Sequence, residues 1–321
     1  MSSNELYNLY KDAGPVPSEI VINGIITVIC FSGIILNMLL VYVTVKSKTL
    51  HSTCNILIAL YAFSISFILI GNSVPFFIFL FGINFISLQL CFYIQIIPLI
   101  FTAFAILLQL CIGIDRLFAV SFPIWYQMGG RFKLFKIFIA ICCAKTVLVN
   151  ISYYYGSSKH WEKPVMCTIG DPAHQPETNS MSTILSLITY CADFICYVLI
   201  WLVNYLRNGH HGQSFTESER NKPLLISLSV IMSIGLICYI GTCVFLNGVT
   251  PLLNLNILTF EYIVWPICNC LASMAYSSCT PVLFLCSTEY RKAFCKCLCK
   301  SEHGSNVVVP LRNMRASAIP A

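Results

Sequence analysis

Across 321 residues only 10% are Asp, Glu, Lys or Arg, while 57% are hydrophobic, and the formal net charge is +6. A water-soluble domain of this size could not cover its surface with so few charges, so lipid must be the solvent for most of the chain. Eighteen cysteines resemble a disulfide scaffold by count alone, but Cys30, Cys111, Cys142, Cys143, Cys196 and Cys238 lie inside apolar runs, where cysteine behaves as a small hydrophobe.

Hydropathy and punctuation predict seven spans in chain order: Ile20–Val45, Ser52–Phe81, Leu88–Phe118, Leu134–Tyr155, Met181–Leu206, Leu224–Leu246 and Ile257–Cys286. From Thr49 to Ile114 the chain carries no charged residue at all, so that run must fold back once, and the Gly82–Ser87 stretch is the expected turn. The first 19 residues are mostly polar, and the first span is expected to act as its own insertion signal. With the N-terminus outside, fifteen lysines and arginines fall on inner segments and three (Lys11, Lys159, Lys163) on outer ones, with Lys145 inside span four. This split satisfies the positive-inside rule. The net positive charge is therefore a membrane-face bias, suited to anionic lipid, and no footprint of nucleic acid. The expected organisation is an outer N-terminus over residues 1–19, a seven-transmembrane all-α bundle over 20–286, an amphipathic surface helix over 287–300 and a disordered inner tail over 301–321.

Asp115-Arg116 closes the third span, 25 residues after Cys91. In a helix that interval covers roughly 37 Å, slightly more than the ~30 Å hydrocarbon core. One helix would thus carry a cysteine at the outer face and an ion pair at the inner one. The stretches Ser52-Thr-Cys-Asn-Ile-Leu-Ile-Ala and Gly113-Ile-Asp-Arg-Leu-Phe-Ala-Val-Ser-Phe-Pro resemble the nematode serpentine chemoreceptors of the srsx type, within the rhodopsin-like G-protein-coupled receptors. The likeness runs from about Gly33 to Cys299. It implies an extracellular small-molecule or short-peptide ligand, a heterotrimeric G protein as partner, and a plasma-membrane location that includes sensory cilia.

Carried onto this chain, the resemblance makes Asn37 the structural asparagine of the first helix and Asp115-Arg116 the activation switch. The arginine is held by its acid at rest and released when the sixth helix swings outward. Glu217 and Glu219 are further resting partners to consider for Arg116, although glutamates before a span are commonly just solvated. Simple marking of the membrane face is the plainer reading of the ion pair itself. Pro281 keeps the family's seventh-helix proline, but Thr280 and Phe284 replace its polar neighbours, and Leu117 stands where the family has tyrosine. No acid occurs in the second span near Ser64 or Ile65, where the family buries an aspartate, and span six offers Cys238, Tyr239 and Gly241 in place of a Trp-x-Pro toggle. Cys91 and Cys167, the lone cysteine of the Gly156–Asn179 outer loop, are the expected disulfide, with two free thiols as the alternative.

Three charges sit at membrane depth and need partners or water: Lys145, Asp193 and Glu261. A Lys145–Asp193 bridge between spans four and five is the structural expectation. Glu261, with Tyr262 and Trp265, either faces an outer ligand pocket or reaches interfacial water. After Pro281, Tyr290, Phe294 and Leu298 give the terminal helix an apolar side, and Cys295, Cys297 and Cys299 suit palmitoylation, with zinc binding as the alternative. Asn150-Ile-Ser152 is a glycosylation triplet buried in span four and expected to be unused. No cofactor or metal is expected, and an enzyme is disfavoured: the spans hold no paired aspartates, no His-Glu-x-x-His and no nucleotide loop. A seven-helix transporter or channel without G-protein coupling is the remaining alternative to a receptor.

Overall fold

The computed structural model describes residues 7–8, 10–173, 175–210 and 264–299, with scattered positions between 230 and 241. Most of span six, together with Glu217, Glu219, Glu261, Tyr262 and the 300–321 tail, lies outside the described residues. Within them the chain is an all-α membrane protein, with five helices long and apolar enough to cross a bilayer and a sixth span formed by a bent pair.

The first helix, α1 (Pro17–Lys46), starts on a proline whose missing N–H costs nothing in the first turn. Glu19 in that turn and Lys46 in the last complement the helix dipole. Ser52 caps α2 (Thr53–Leu80) by accepting from the Asn55 N–H at 3.3 Å, and Ser87 caps α3 (Leu88–Ser121) in the same way through Leu90. Between α2 and α3 the predicted turn is present: Gly82 (φ +67°) and Asn84 (φ +58°) take the left-handed conformation. The Asn84 side chain donates to the carbonyls of Tyr10 and Gly14, both at 2.8 Å, and so ties down the segment before α1.

At 34 residues α3 spans about 51 Å and must tilt or protrude to fit the bilayer. It packs against α2, α4 (Arg131–Ser158) and α5 (Asn179–His210). Burial ranks the helices: 72% of the most apolar stretch of α2 is covered by protein, against 17% for the span containing α4, so α2 is central and α4 faces lipid. A short hairpin pairs β1 (Ile86–Ser87) antiparallel with β2 (Pro164–Val165), in register Ile86 to Val165, and brings the outer loop over the bundle.

The last described span comprises α6 (Trp265–Ser277) and α7 (Cys279–Cys286), bent by 42° at Ser278. Pro281 cannot donate to the carbonyl of Ser277 and its ring crowds that group, so the helix breaks one turn before the proline. The terminal helix α8 (Thr288–Cys299) is amphipathic: Tyr290, Ala293 and Phe294 are buried, while Arg291, Lys292 and Cys295 are exposed.

Small residues decide how closely these helices approach. A Cβ at Gly33 of α1 would run into the Ser277 side chain and come within 2.8 Å of Leu69. Overpacking of this kind costs about 1–3 kcal/mol. Gly33→Val is therefore expected to lower the unfolding temperature of the detergent-solubilised protein by several degrees and reduce surface expression, whereas Gly241→Ala, at a position with open space around it, should change surface expression far less. Equal losses in both variants would contradict this packing argument.

Candidate functional site

The outer loop is fixed by covalent and polar links to α3. Cys91 and Cys167 form a disulfide with a Cα separation of 5.2 Å, as expected from the sequence. Gln95, one turn into the bundle from Cys91, is fully buried and donates to the carbonyls of Cys167 (3.1 Å) and Gly71 (3.0 Å), joining loop, α3 and α2 at one point. Glu177 meets Lys159 and His160 at 3.8 and 3.3 Å on the same loop, but these pairs are exposed and contribute little. The disulfide and Gln95 hold Thr168, Ile169 and Gly170 on the wall of a cavity of about 250 Å³.

That cavity reaches from the loop to Tyr61, Gln109, Tyr276 and Cys279 deep in the bundle, and Trp265 lines it. Of the three pocket residues expected from sequence, Trp265 is thus in place, and Glu261 and Tyr262 lie outside the described residues. Beneath the cavity runs a buried polar chain: Tyr61 of α2 donates to Gln109 Oε1 of α3 (3.2 Å), and Gln109 Nε2 donates to Asp193 Oδ2 of α5 (3.0 Å).

The expected Lys145–Asp193 bridge is not formed. Lys145 Nζ donates to Thr189 Oγ1 at 3.4 Å, one helical turn away from Asp193, and Asp193 instead faces α3. The reason is azimuthal. Asp193 points at Gly113, where an added Cβ would lie 2.9 Å from its Oδ1, so the missing side chain makes room for the carboxylate. Asp193 Oδ1 has no hydrogen-bond partner, which leaves the acid dependent on Gln109.

At the inner end of α3, Asp115 is fully buried and Arg116 nearly so. Arg116 Nη2 donates to Asp115 Oδ2 at 3.1 Å. Tyr126 donates to the same carboxylate, 2.9 Å from Oδ1 and 3.1 Å from Oδ2. Tyr126 reaches back because α3 ends at Phe122 and a Pro123–Trp125 turn reverses the chain. Sequence reasoning missed it, although a tyrosine just after the Phe-Pro turn was a usable signal. Glu217 and Glu219, the other partners considered for Arg116, lie outside the described residues.

Asn37 is fully buried and donates to the Tyr276 carbonyl at 3.3 Å, next to the bend in the last span. Thr280 Oγ1 lies 2.9 Å from the Leu36 carbonyl and 3.3 Å from Asn37 Oδ1. Thr280 therefore occupies the polar role that its position before Pro281 requires, directed at α1. Cys295 is exposed, Cys297 is half-buried, and Cys299 ends α8. The described residues hold no group of three or more metal-binding side chains.

A bundle with a lidded outer cavity and a latched Asp-Arg pair at the opposite end of one helix is receptor architecture. Residues 30–298 match the family model of the serpentine type 7TM GPCR chemoreceptor Srsx. The chain belongs to this family. No curated protein matches it. The family is a seven-transmembrane one. This chemoreceptor lacks the second-span acid that the resemblance implied near Ser64 or Ile65, and its Gln109 binds a buried acid on α5, Asp193.

Gln109 is the testable centre of that departure. Gln109→Leu removes the one described partner of a buried carboxylate, which should cost about 1–3 kcal/mol, more than the roughly 0.6 kcal/mol of an average interhelical bond in lipid. The double variant Gln109→Leu/Asp193→Leu should recover most of the loss, since no orphaned acid remains. Thermal unfolding of the purified variants reads both. Additive losses in the double variant would show that the two side chains do not depend on each other.

Proposed function

We propose that this chemoreceptor binds an extracellular small molecule or short peptide in the cavity under the disulfide-held loop and activates a heterotrimeric G protein at its inner face. One observation carries the reading: Gln109 on the cavity floor and the latched Arg116 lie seven residues apart on α3, two helical turns and roughly 10 Å. A ligand that presses on the floor acts on the same rigid element that carries the switch. At rest, Asp115 holds the arginine, and Tyr126 fixes the carboxylate that does so. In the active state Arg116 leaves this clamp and turns toward the G protein. Pro281 supplies the bend about which the last span moves, with Asn37 and Thr280 holding its inner half to α1.

A ligand can shift this equilibrium only by binding the active bundle more tightly than the resting one. The N-terminus is outside by the charge distribution, and the receptor works in the plasma membrane, sensory cilia included. Trp265 belongs to the ligand-contacting wall. Cys295, the exposed thiol of α8, is the best placed of the three candidates for palmitoylation, and an acyl chain there joins neighbouring basic residues in anchoring the helix to inner-leaflet lipid.

The clamp gives the test. Asp115→Asn removes the charged acceptor that holds Arg116, a hydrogen bond to a charged group worth about 1.5–3 kcal/mol, which corresponds to a rise of roughly ten-fold or more in the population of the released state. Ligand-independent G-protein activation in cells should increase accordingly at unchanged surface level, and Arg116→Ala should abolish it. Basal activity indifferent to both substitutions, or a ligand-independent ion current, would overturn the mechanism.

A further inference from the structure

The cavity wall carries polar groups whose hydrogen-bonding capacity is not used within the protein. Among the described residues Asn269 makes no hydrogen bond, and neither does the Tyr276 hydroxyl. Asn72 offers only a long bond from its amide nitrogen to Ser273 (3.5 Å), which leaves its carbonyl oxygen unused. Asn23 donates to Glu19, at 2.9 Å to the backbone carbonyl and 3.0 Å to the carboxylate, and keeps its own Oδ1 free. Three carboxamides and a phenol thus face one space with spare donors and spare acceptors. Each costs free energy if it is left dry and unpaired.

Charge is arranged differently. Among the described residues no Asp, Glu, Lys, Arg or His lines the cavity. Of the described acids close to its wall in the chain, Asp171 accepts from the Thr168 N–H, Glu19 from Asn23 and Asp193 from Gln109. An ammonium or carboxylate ligand would lose its hydration with no described countercharge to replace it.

Resting on the reading of this cavity as the ligand site, we infer that the receptor takes a small uncharged molecule bearing an amide or lactam group. A carboxamide donates and accepts in one plane, and its best complement is another group that does both. The cavity's 250 Å³ lies below the roughly 300–1,000 Å³ of drug-sized pockets, so the ligand is small. Ile26, Ile68 and Trp265 supply the apolar remainder of the wall.

The test uses the full-length receptor, purified in detergent, against three fragment sets: uncharged primary amides and lactams, protonated amines, and carboxylates. Thermal unfolding reads binding, because a ligand of the native state raises Tm. In parallel, the same fragments are applied to expressing cells with G-protein activation as the readout. Amides and lactams are expected to raise Tm, and Asn269→Leu, which removes no internal hydrogen bond, should weaken them on the order of ten-fold while leaving the fragment-free Tm unchanged. Asn72→Leu should weaken them similarly. Stabilisation by amines or carboxylates in place of amides overturns the inference, as does amide binding indifferent to both substitutions, or no shift from any set. Amide binding without G-protein activation supports the inference and removes the coupling proposed above. Activation by charged fragments alone, lost in Glu261→Gln, does the reverse.

Discussion

Everything in this bundle hangs on how α3 satisfies its polar groups in the absence of water. Lipid offers no hydrogen bonds, so each polar side chain on a buried helix must find a protein partner or a wet cavity. From the outside inward, Cys91 is covalently joined to the loop, Gln95 holds the loop and α2, Gln109 joins α2 to α5, and Asp115 takes Arg116 and Tyr126. These links occur at successive depths on one rigid rod. α3 is thus pinned at its outer end by the disulfide and held at its inner end by the bonds to Asp115.

The same constraint explains the bend in the last span. A proline at position 281 removes one backbone bond and exposes carbonyls one turn earlier, which in lipid must be compensated by a neighbour. Asn37 supplies an amide to the Tyr276 carbonyl, and Thr280 turns its hydroxyl to α1. Gly33 allows the approach that makes both contacts possible, because any side chain there would collide with Ser277. The bend is thus held by three residues of α1 and the last span acting together, each required by the absence of water.

What could be read from the sequence divides along physical lines. The positions of the first five spans, the turn at Gly82, the break associated with Pro281 and the Cys91–Cys167 pair were legible because they depend on composition, charge and punctuation along one dimension. The partnership of Lys145 and Asp193 was not. Sequence places both near mid-depth, but their meeting depends on the rotation of α4 and α5 about their own axes, and the space at Gly113 draws Asp193 toward α3. Gln95, Gln109 and Tyr126 escaped notice for a related reason. Glutamine and tyrosine are common in spans and loops, and nothing in their spacing marks them until the facing helices are known.

The missing acid of the second span acquires a meaning from this arrangement. Ser64 and Ser66 on α2 hydrogen-bond to their own helix, at Leu60 and Ala62, so α2 offers no inward-facing charge. The membrane-depth acid of this bundle sits on α5 as Asp193, and a glutamine on α3 carries its connection to Tyr61 of α2. A carboxylate on α2 would couple the cavity floor mainly to the last span. One on α5 couples it to the helix whose inner end flanks Arg116, with Tyr197 packed against Gly113 one turn below Asp193. Tyr61, Gln109 and Asp193 thus join α2, α3 and α5 below the cavity, while the Asn37–Thr280 contacts join the bent span to α1 as a separate polar network.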